Sequence, residues 1–438
     1  MTYDMEWKKE YQEKLCSPED AVRKVKDGDR IYIGTAASVA YTLAEALYQR
    51  RDDFENVTIC SGFSSRILPF YLPEAKGHFT SNTYFAGNAE RTGIKNGLTV
   101  FTSFHLSQIR LWCRDIARIN VAFLEVSSPD EEGYMSYGAY GVTFHNYVKE
   151  IADLVVLQVN PYAPYVCGTD HLIHVSEADC ITVGEYQPTI VPNLPFDETI
   201  GKLSKYIVEE IPDGATIQLG IGGVSNAVGF YLREHNDLGI HTEMLTDSMM
   251  DLIKRGVVTN RVKSFMPGKS VVSFAFGTRE LYDFVDHNEE IYFAPVSYVN
   301  DPYVIAKNDN MISINAAMAI DLYGQVAADC LDGKQQSAVG GQVDFVRGTQ
   351  MARGGKSFIA LPSSLERGDQ TYSRIVVSLP PGSAVTTSRA DVQYVATEYG
   401  CVNLKTLTMR DRARALISLA HPMFREGLTV QAKKMKLI

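Results

Sequence analysis

Glu243 sits in "GIHTEML" (239–245), where Gly239, Ile240, Met244 and Leu245 otherwise spell a buried strand. A carboxylate taken into apolar surroundings is costly unless it is paired, hydrogen-bonded or protonated. Two readings follow: an acid at the core's edge paired with Lys or Arg, or a carboxylate kept for chemistry. His241, two residues back, would point the same way on a strand and could bond Glu243 or only pack. Upstream, "QLGIGGVSNAVGFYL" places Gly220, Gly222 and Gly223 between a strand and a helical stretch. Such a loop lets backbone approach a ligand, and a helix start offers unpaired N–H groups to negative oxygen. A nicotinamide dinucleotide site wants G-x-G-x-x-G and an acid about 20 residues on. Here the last position is Ser225, while Glu243 stands near that distance. A structural tight turn and an anionic cofactor of another kind are the competing readings. Downstream, "SAVGGQVDFVRG" (337–348) reads as a loop into a helix, or as backbone amides aimed at a developing oxyanion. No GxSxG elbow and no Ser/His/Asp set accompanies it. Acyl chemistry would need another nucleophile, and a carboxylate can serve.

The elements that must hold these residues repeat along the chain. "KDGDRIYIGTAASVAYTLAEAL" (26–47) matches "PDGATIQLGIGGVSNAVGFYL" (212–232) in kind: a DG turn, an alternating strand ending in Gly, small residues, then a helix. "NVTIC" (56–60) and "LGIHTEM" (238–244) follow at the same stage. "NTYFAGNAER" parallels "VVSFAFGTRE", and "INVAFLEVSSPDEEGYMSYG" (119–138) parallels "INAAMAIDLYGQVAADC" (314–330). This succession predicts two related open α/β domains with mainly parallel central sheets flanked by helices. The expected domains are 1–190 and 191–438, joined by "QPTIVPNLPFDETIGK" (187–202), where three Pro mark a connector. The helix 197–211 opens the second domain with Asp197 as its N-cap. Only the second copy carries the glycines and Glu243, so chemistry is expected there, beyond the carboxyl ends of the strands.

Whole-chain quantities narrow the classes. At 438 residues, with 45% hydrophobic and 21% charged content, the chain reads as a globular protein of two domains. A formal net charge of −10 and a pI near 5.5 argue against nucleic acid or an anionic membrane as partner. The charged N-terminus lacks a signal-peptide core, and "ADLVVLQV" (152–159) is too short to span a bilayer. Seven scattered Cys without CxxC fit reduced thiols in a cytoplasm. Of the nine His, only His171 and His174 are closely spaced, and nothing nearby completes a four-ligand set, so no metal is expected.

Six segments in order, "QLGIGGVSNAVG", "LGIHTEM", "APVSYVNDP", "SINAAMAIDLYGQV", "SAVGGQVDFVRG" and "VATEYG", carry a resemblance. The chain resembles the acyl-CoA transferases of the 4-hydroxybutyrate and butyrate:acetate type, a family that includes acetyl-CoA hydrolase-like members. The first half follows that family's layout more than its wording. The resemblance implies Glu243 of H-[ST]-E-M as nucleophile and Gly220, Ile221, Gly222, Gly223 and Val224 as the loop contacting coenzyme A. It implies Gly341, second Gly of G-G-x-x-D-F, as an oxyanion donor, and Asn300 of V-N-[DHS]-P as a hydrogen-bond donor to the glutamyl oxygen. Met318 and Arg367 fall in segments that line the coenzyme A groove in relatives.

The implied activity moves coenzyme A between short-chain carboxylic acids through a glutamyl-CoA thioester, with no cofactor beyond coenzyme A itself. Butyryl-CoA and acetate are the first choice, with 4-hydroxybutyryl, propionyl or crotonyl donors open. The acyl pocket is expected to draw on the N-terminal half, around "CSGFSSR" and "FAGNAERTG". The expected partners are acyl-CoA and short-chain carboxylates, in a homo-oligomer, dimer or tetramer. An acyl-CoA hydrolase on the same fold and, more distantly, a nicotinamide oxidoreductase or a non-catalytic coenzyme A-binding module are the alternatives.

Overall fold

The computed structural model describes residues 3–192, 195–220 and 222–438. Two compact units form. The first takes in the chain up to Pro192 together with Val271–Val299, and the second the remainder. In the first unit, β1 (Arg30–Thr35), β2 (Val57–Gly62), β3 (Phe79–Thr83), β4 (Thr99–Phe101), β5 (Val121–Val126), β6 (Leu154–Val159) and β7 (Cys180–Val183) form one sheet in the order β7-β6-β5-β1-β2-β3-β4. Every pairing in it is parallel. Strands such as "VTICSG" and "VAFLEV" are buried along their whole length, as expected when both faces of a sheet are covered. Ile31, Ile33, Leu43, Leu47, Ile59, Phe79 and Phe123 belong to its core.

In the second unit, β8 (Thr216–Leu219), β9 (Gly239–Leu245), β10 (Met311–Ala316), β11 (Lys356–Ala360), β12 (Tyr394–Thr397) and β13 (Gly400–Asn403) run in the order β13-β12-β11-β10-β8-β9. All pair in parallel except the terminal β12–β13 hairpin. In both units the chain moves outward from its first strand and then returns on that strand's other side. The order therefore reverses between β1 and β5, and again between β8 and β10. Such reversals open a crevice at the carboxyl ends of strands. The expected repetition of one open α/β topology is what the structure shows.

Val271–Val299 does not follow a simple cut at residue 190, because its partners are in the first unit. Tyr292 and Phe293 pair with Cys167 and Gly168. The Val296 N–H reaches the Thr143 carbonyl, and the Tyr282 hydroxyl the Thr189 carbonyl at 2.7 Å. Phe274 packs its ring 4.2 Å from that of Tyr140. Asp197 caps the helix Glu198–Val208 through the Ile200 N–H at 2.8 Å. Among the described residues no helix is long and apolar enough to cross a membrane.

Candidate active site

Glu243 is the fifth residue of β9, near its carboxyl end, and is half-buried between the buried Thr242 and Met244. Asn300 follows the short helix Val296–Val299, and the next residue, Asp301, caps the turn Pro302–Ile305 through the Tyr303 N–H. That turn packs against the helix Gln342–Met351 at Gly348, where a Cβ would meet Ile305 Cβ at 2.6 Å. The close approach brings the N-terminus of this helix, with Gly341 as its N-cap, up to Asn300.

The result is a carboxylate held by two donors. Asn300 Nδ2 donates to Glu243 Oε2 at 2.6 Å, and the Gly341 N–H donates to the same carboxylate. A Cβ at position 341 would stand 2.1 Å from Glu243 Oε2 and 2.3 Å from Asn300 Nδ2, so only glycine fits. Asn300 is fully buried, and its Oδ1 has no partner among the described residues. Burial raises the Glu243 carboxyl from the ordinary 4.5 to about 7, helped by the nearby Asp344 carboxylate and opposed by Asn300 and Gly341. A carboxyl displaced in this way by burial and a neighbouring charge is the kind found at functional sites.

The glycine loop lies between β8 and the helix Gly223–Tyr231. Gly222, its N-cap, has φ 102°, a conformation that favours glycine. Gly220 and Gly223 are different: a Cβ at either would find no atom closer than 3.8 Å. Local packing thus leaves room for a side chain at both positions. Val224 is buried in the first turn, and Ile221 lies outside the described residues. Met318 is half-buried, with its N–H bonded to the Ala327 carbonyl, and Arg367 is exposed at the tip of the hairpin Ser364–Ser373. No hydrogen bond or ion pair joins either to Glu243, Asn300 or Gly341 among the described residues.

Asp344 had no assigned role in the sequence reading, although it stands in the quoted glycine motif. Its signal was its place three residues beyond Gly341, in the first turn of the same helix, where an acid returns toward the N-cap.

Two family models account for most of the chain. That of the acetyl-CoA hydrolase/transferase N-terminal domain matches residues 1–194, and that of the C-terminal domain matches 277–432. The chain is 40% identical to 4-hydroxybutyrate coenzyme A transferase of Clostridium kluyveri, over 98% of this chain and 100% of that one. It is 38% identical to butyryl-CoA:acetate CoA-transferase of Anaerostipes caccae, over 99% of each. The crystal structure of RipA from Yersinia pestis superposes with a TM-score of 0.93 at 36% identity, covering 99% of this chain and 100% of that one. By sequence and by fold, the chain belongs to the acetyl-CoA hydrolase/transferase family and is a CoA-transferase.

Proposed function

We propose that the protein exchanges coenzyme A between short-chain carboxylic acids, with butyryl-CoA and acetate as the first pair, and that Glu243 carries the coenzyme. The observation that carries this reading is the carboxylate held by Asn300 Nδ2 at 2.6 Å and by the Gly341 N–H. Glu243 attacks the acyl-CoA carbonyl and expels coenzyme A as thiolate, leaving a mixed anhydride. The thiolate attacks the glutamyl carbonyl, releases the first acid and leaves a glutamyl-CoA thioester. An acceptor carboxylate attacks that thioester and expels the thiolate again. The thiolate then takes the new acyl group and returns Glu243 as carboxylate. Each step interconverts carboxylate, anhydride and thioester, so the sequence calls for no metal or redox group. The two donors on Glu243 face the oxygen that gains charge when the thiolate or the acceptor carboxylate attacks the glutamyl carbonyl. Gly220, Gly222, Gly223 and Val224 are proposed to line the coenzyme A path, as are Met318 and Arg367 farther out.

The relatives are named for 4-hydroxybutyryl, butyryl and succinyl donors, so the acyl group is the part to measure first. Purified protein is given each acyl-CoA with and without acetate, and acetyl-CoA and free coenzyme A are followed separately. Transfer that needs acetate supports a transferase, whereas release of coenzyme A without it marks a hydrolase. Borohydride after butyryl-CoA should reduce a glutamyl thioester to an alcohol on the peptide holding "GIHTEML". Glu243→Gln should abolish both transfer and labelling. A label on another acid, or transfer by Glu243→Gln, overturns the assignment.

A further inference from the structure

The crevice between β1 and β5 of the first unit contains a second buried acid that the reaction does not use. Glu125, on β5, is 3% exposed. The loop beside it, 36–40, stands where the glycine loop stands in the second unit, and it is tightly wound. Gly34 has φ 90° with the Ser38 carbonyl oxygen 2.0 Å from any Cβ placed there, and Ala36 has φ 50°. One oxygen of this loop, the Val39 carbonyl, is 2.6 Å from the Tyr186 hydroxyl.

The protons around Tyr186 can be counted. Gln158 Oε1 accepts the Leu43 N–H at 3.1 Å, so its other amide atom, 2.6 Å from the phenol oxygen, is the nitrogen and donates. Asn160 Oδ1 accepts the Tyr162 N–H, so Asn160 Nδ2 donates to Glu125 Oε2 at 3.1 Å. The Tyr41 N–H makes a longer approach to the phenol at 3.4 Å. The Val39 carbonyl can only accept, and the phenol has a single proton to give it. Tyr186 is also in a short hydrogen bond with Glu125 Oε2. That second bond needs a second proton, and only the protonated acid can supply it. With Glu125 ionised, the phenol proton would turn to the carboxylate, and two oxygens would face each other at 2.6 Å with no proton between them.

We infer that Glu125 is a positioning residue held as a neutral acid: it donates to Tyr186, and Tyr186 in turn clamps the Val39 carbonyl and the loop behind β1. Burial raises Glu125 from the ordinary 4.5 to about 8, against the pull of Tyr186, Asn160 and Arg66, whose guanidinium is the charged group acting on it. Burial and Glu125 together keep the Tyr186 phenol protonated. Above that pH the acid ionises, the clamp opens and the strained loop is freed. Activity then falls on the alkaline side, while Glu243 sets the acidic side.

Four proteins test this. In the parent, amides of residues 38–43 should exchange hydrogen slowly at pH 7 and quickly at pH 9, after correction for intrinsic rates. Glu125→Gln, whose amide nitrogen donates at every pH, should stay protected at both and should lose the alkaline decline in kcat/KM. Tyr186→Phe should be unprotected at both. An infrared band from a protonated carboxyl, followed in a background carrying both Glu243→Gln and Glu90→Gln because burial also raises Glu90, should vanish around pH 8; it reads Glu125 even if Glu125→Gln fails to fold. A loop equally protected at pH 7 and 9 in the parent, the same alkaline decline in Glu125→Gln, or no such band at pH 7 overturns the inference. Exchange and infrared do not depend on the transferase reading, which has its own test at Glu243; only the kcat/KM arm rests on it.

Discussion

Gly341 has no spare space, because the atoms a methyl group would strike are the carboxylate and its other donor. Gly341→Ala must therefore push Glu243 and Asn300 apart, and kcat should fall by about 10²-fold or more, as for the loss of one oxyanion donor. Gly341 is buried, so a modest fall in melting temperature should accompany it. Glu243 makes the opposite exchange of activity for stability. Its raised carboxyl means that the native protein holds the proton more tightly than the unfolded chain. That stabilising share is complete below about pH 4.5 and is lost as pH rises through about 7. Glu243→Gln escapes the loss, so its advantage in melting temperature over the parent should widen from pH 5 to pH 8. A constant gap would mean that the site does not strain the carboxylate. Glu243, Asn300 and Gly341 were legible in the sequence because each lies in a short contiguous motif. Glu125 was not, because its meaning comes from Tyr186, Gln158 and Asn160, which only the folded sheet brings around it.

Strand β9 meets an ionisable group near each end, Glu243 on the strand itself and Lys263 packed against its start. Near its start, Lys263 is 5% exposed and donates to the carbonyls of Ile240 and Lys269, each at 2.7 Å, with no carboxylate in its hydrogen bonds. Its stem crosses Gly239 so closely that a Cβ there would lie 2.4 Å from Lys263 Cγ. Burial lowers the amine from the ordinary 10.5 to about 7. Between those values the unfolded chain carries a proton that the native state lacks, so this group makes stability rise with pH. Below about 7 the charged amine exacts its full penalty. Urea melts at pH 7, 8 and 9 should show the parent gaining on Lys263→Met at each step; parallel curves would contradict the shift. The capped helix offers a simpler check, since Asp197→Ala should cost about 0.5–2 kcal/mol. That cap was legible from sequence, and so was the glycine loop as a strand-to-helix turn. Which of its glycines the backbone needs was not, because φ at Gly222 and the free space at Gly220 and Gly223 depend on how β8 meets its helix.

At the scale of the molecule, the proposed role of Glu243 as sole carrier of the coenzyme implies ping-pong kinetics. Initial rates at several acetate concentrations should give parallel double-reciprocal lines, and converging lines would count against a covalent carrier. The repeated topology was legible because each half begins with the same turn, strand and helix. The return of Val271–Val299 to the first unit was not, because it depends on Tyr292, Val296 and Tyr282 finding partners more than ninety residues away (Tyr282 and Thr189 are 93 apart). A fragment ending at residue 190 lacks Val271–Val299 and should show no cooperative melt. The same return has a consequence during synthesis. A ribosome delivers residues in order, so the first unit cannot close when its own contiguous stretch has emerged. It must wait, with an edge unmet, until residue 299 has cleared the exit tunnel, and the next residue released is Asn300, the donor to Glu243. Protection of nascent chains from protease should therefore jump once residue 299 is outside the tunnel, long after residue 192 has left it.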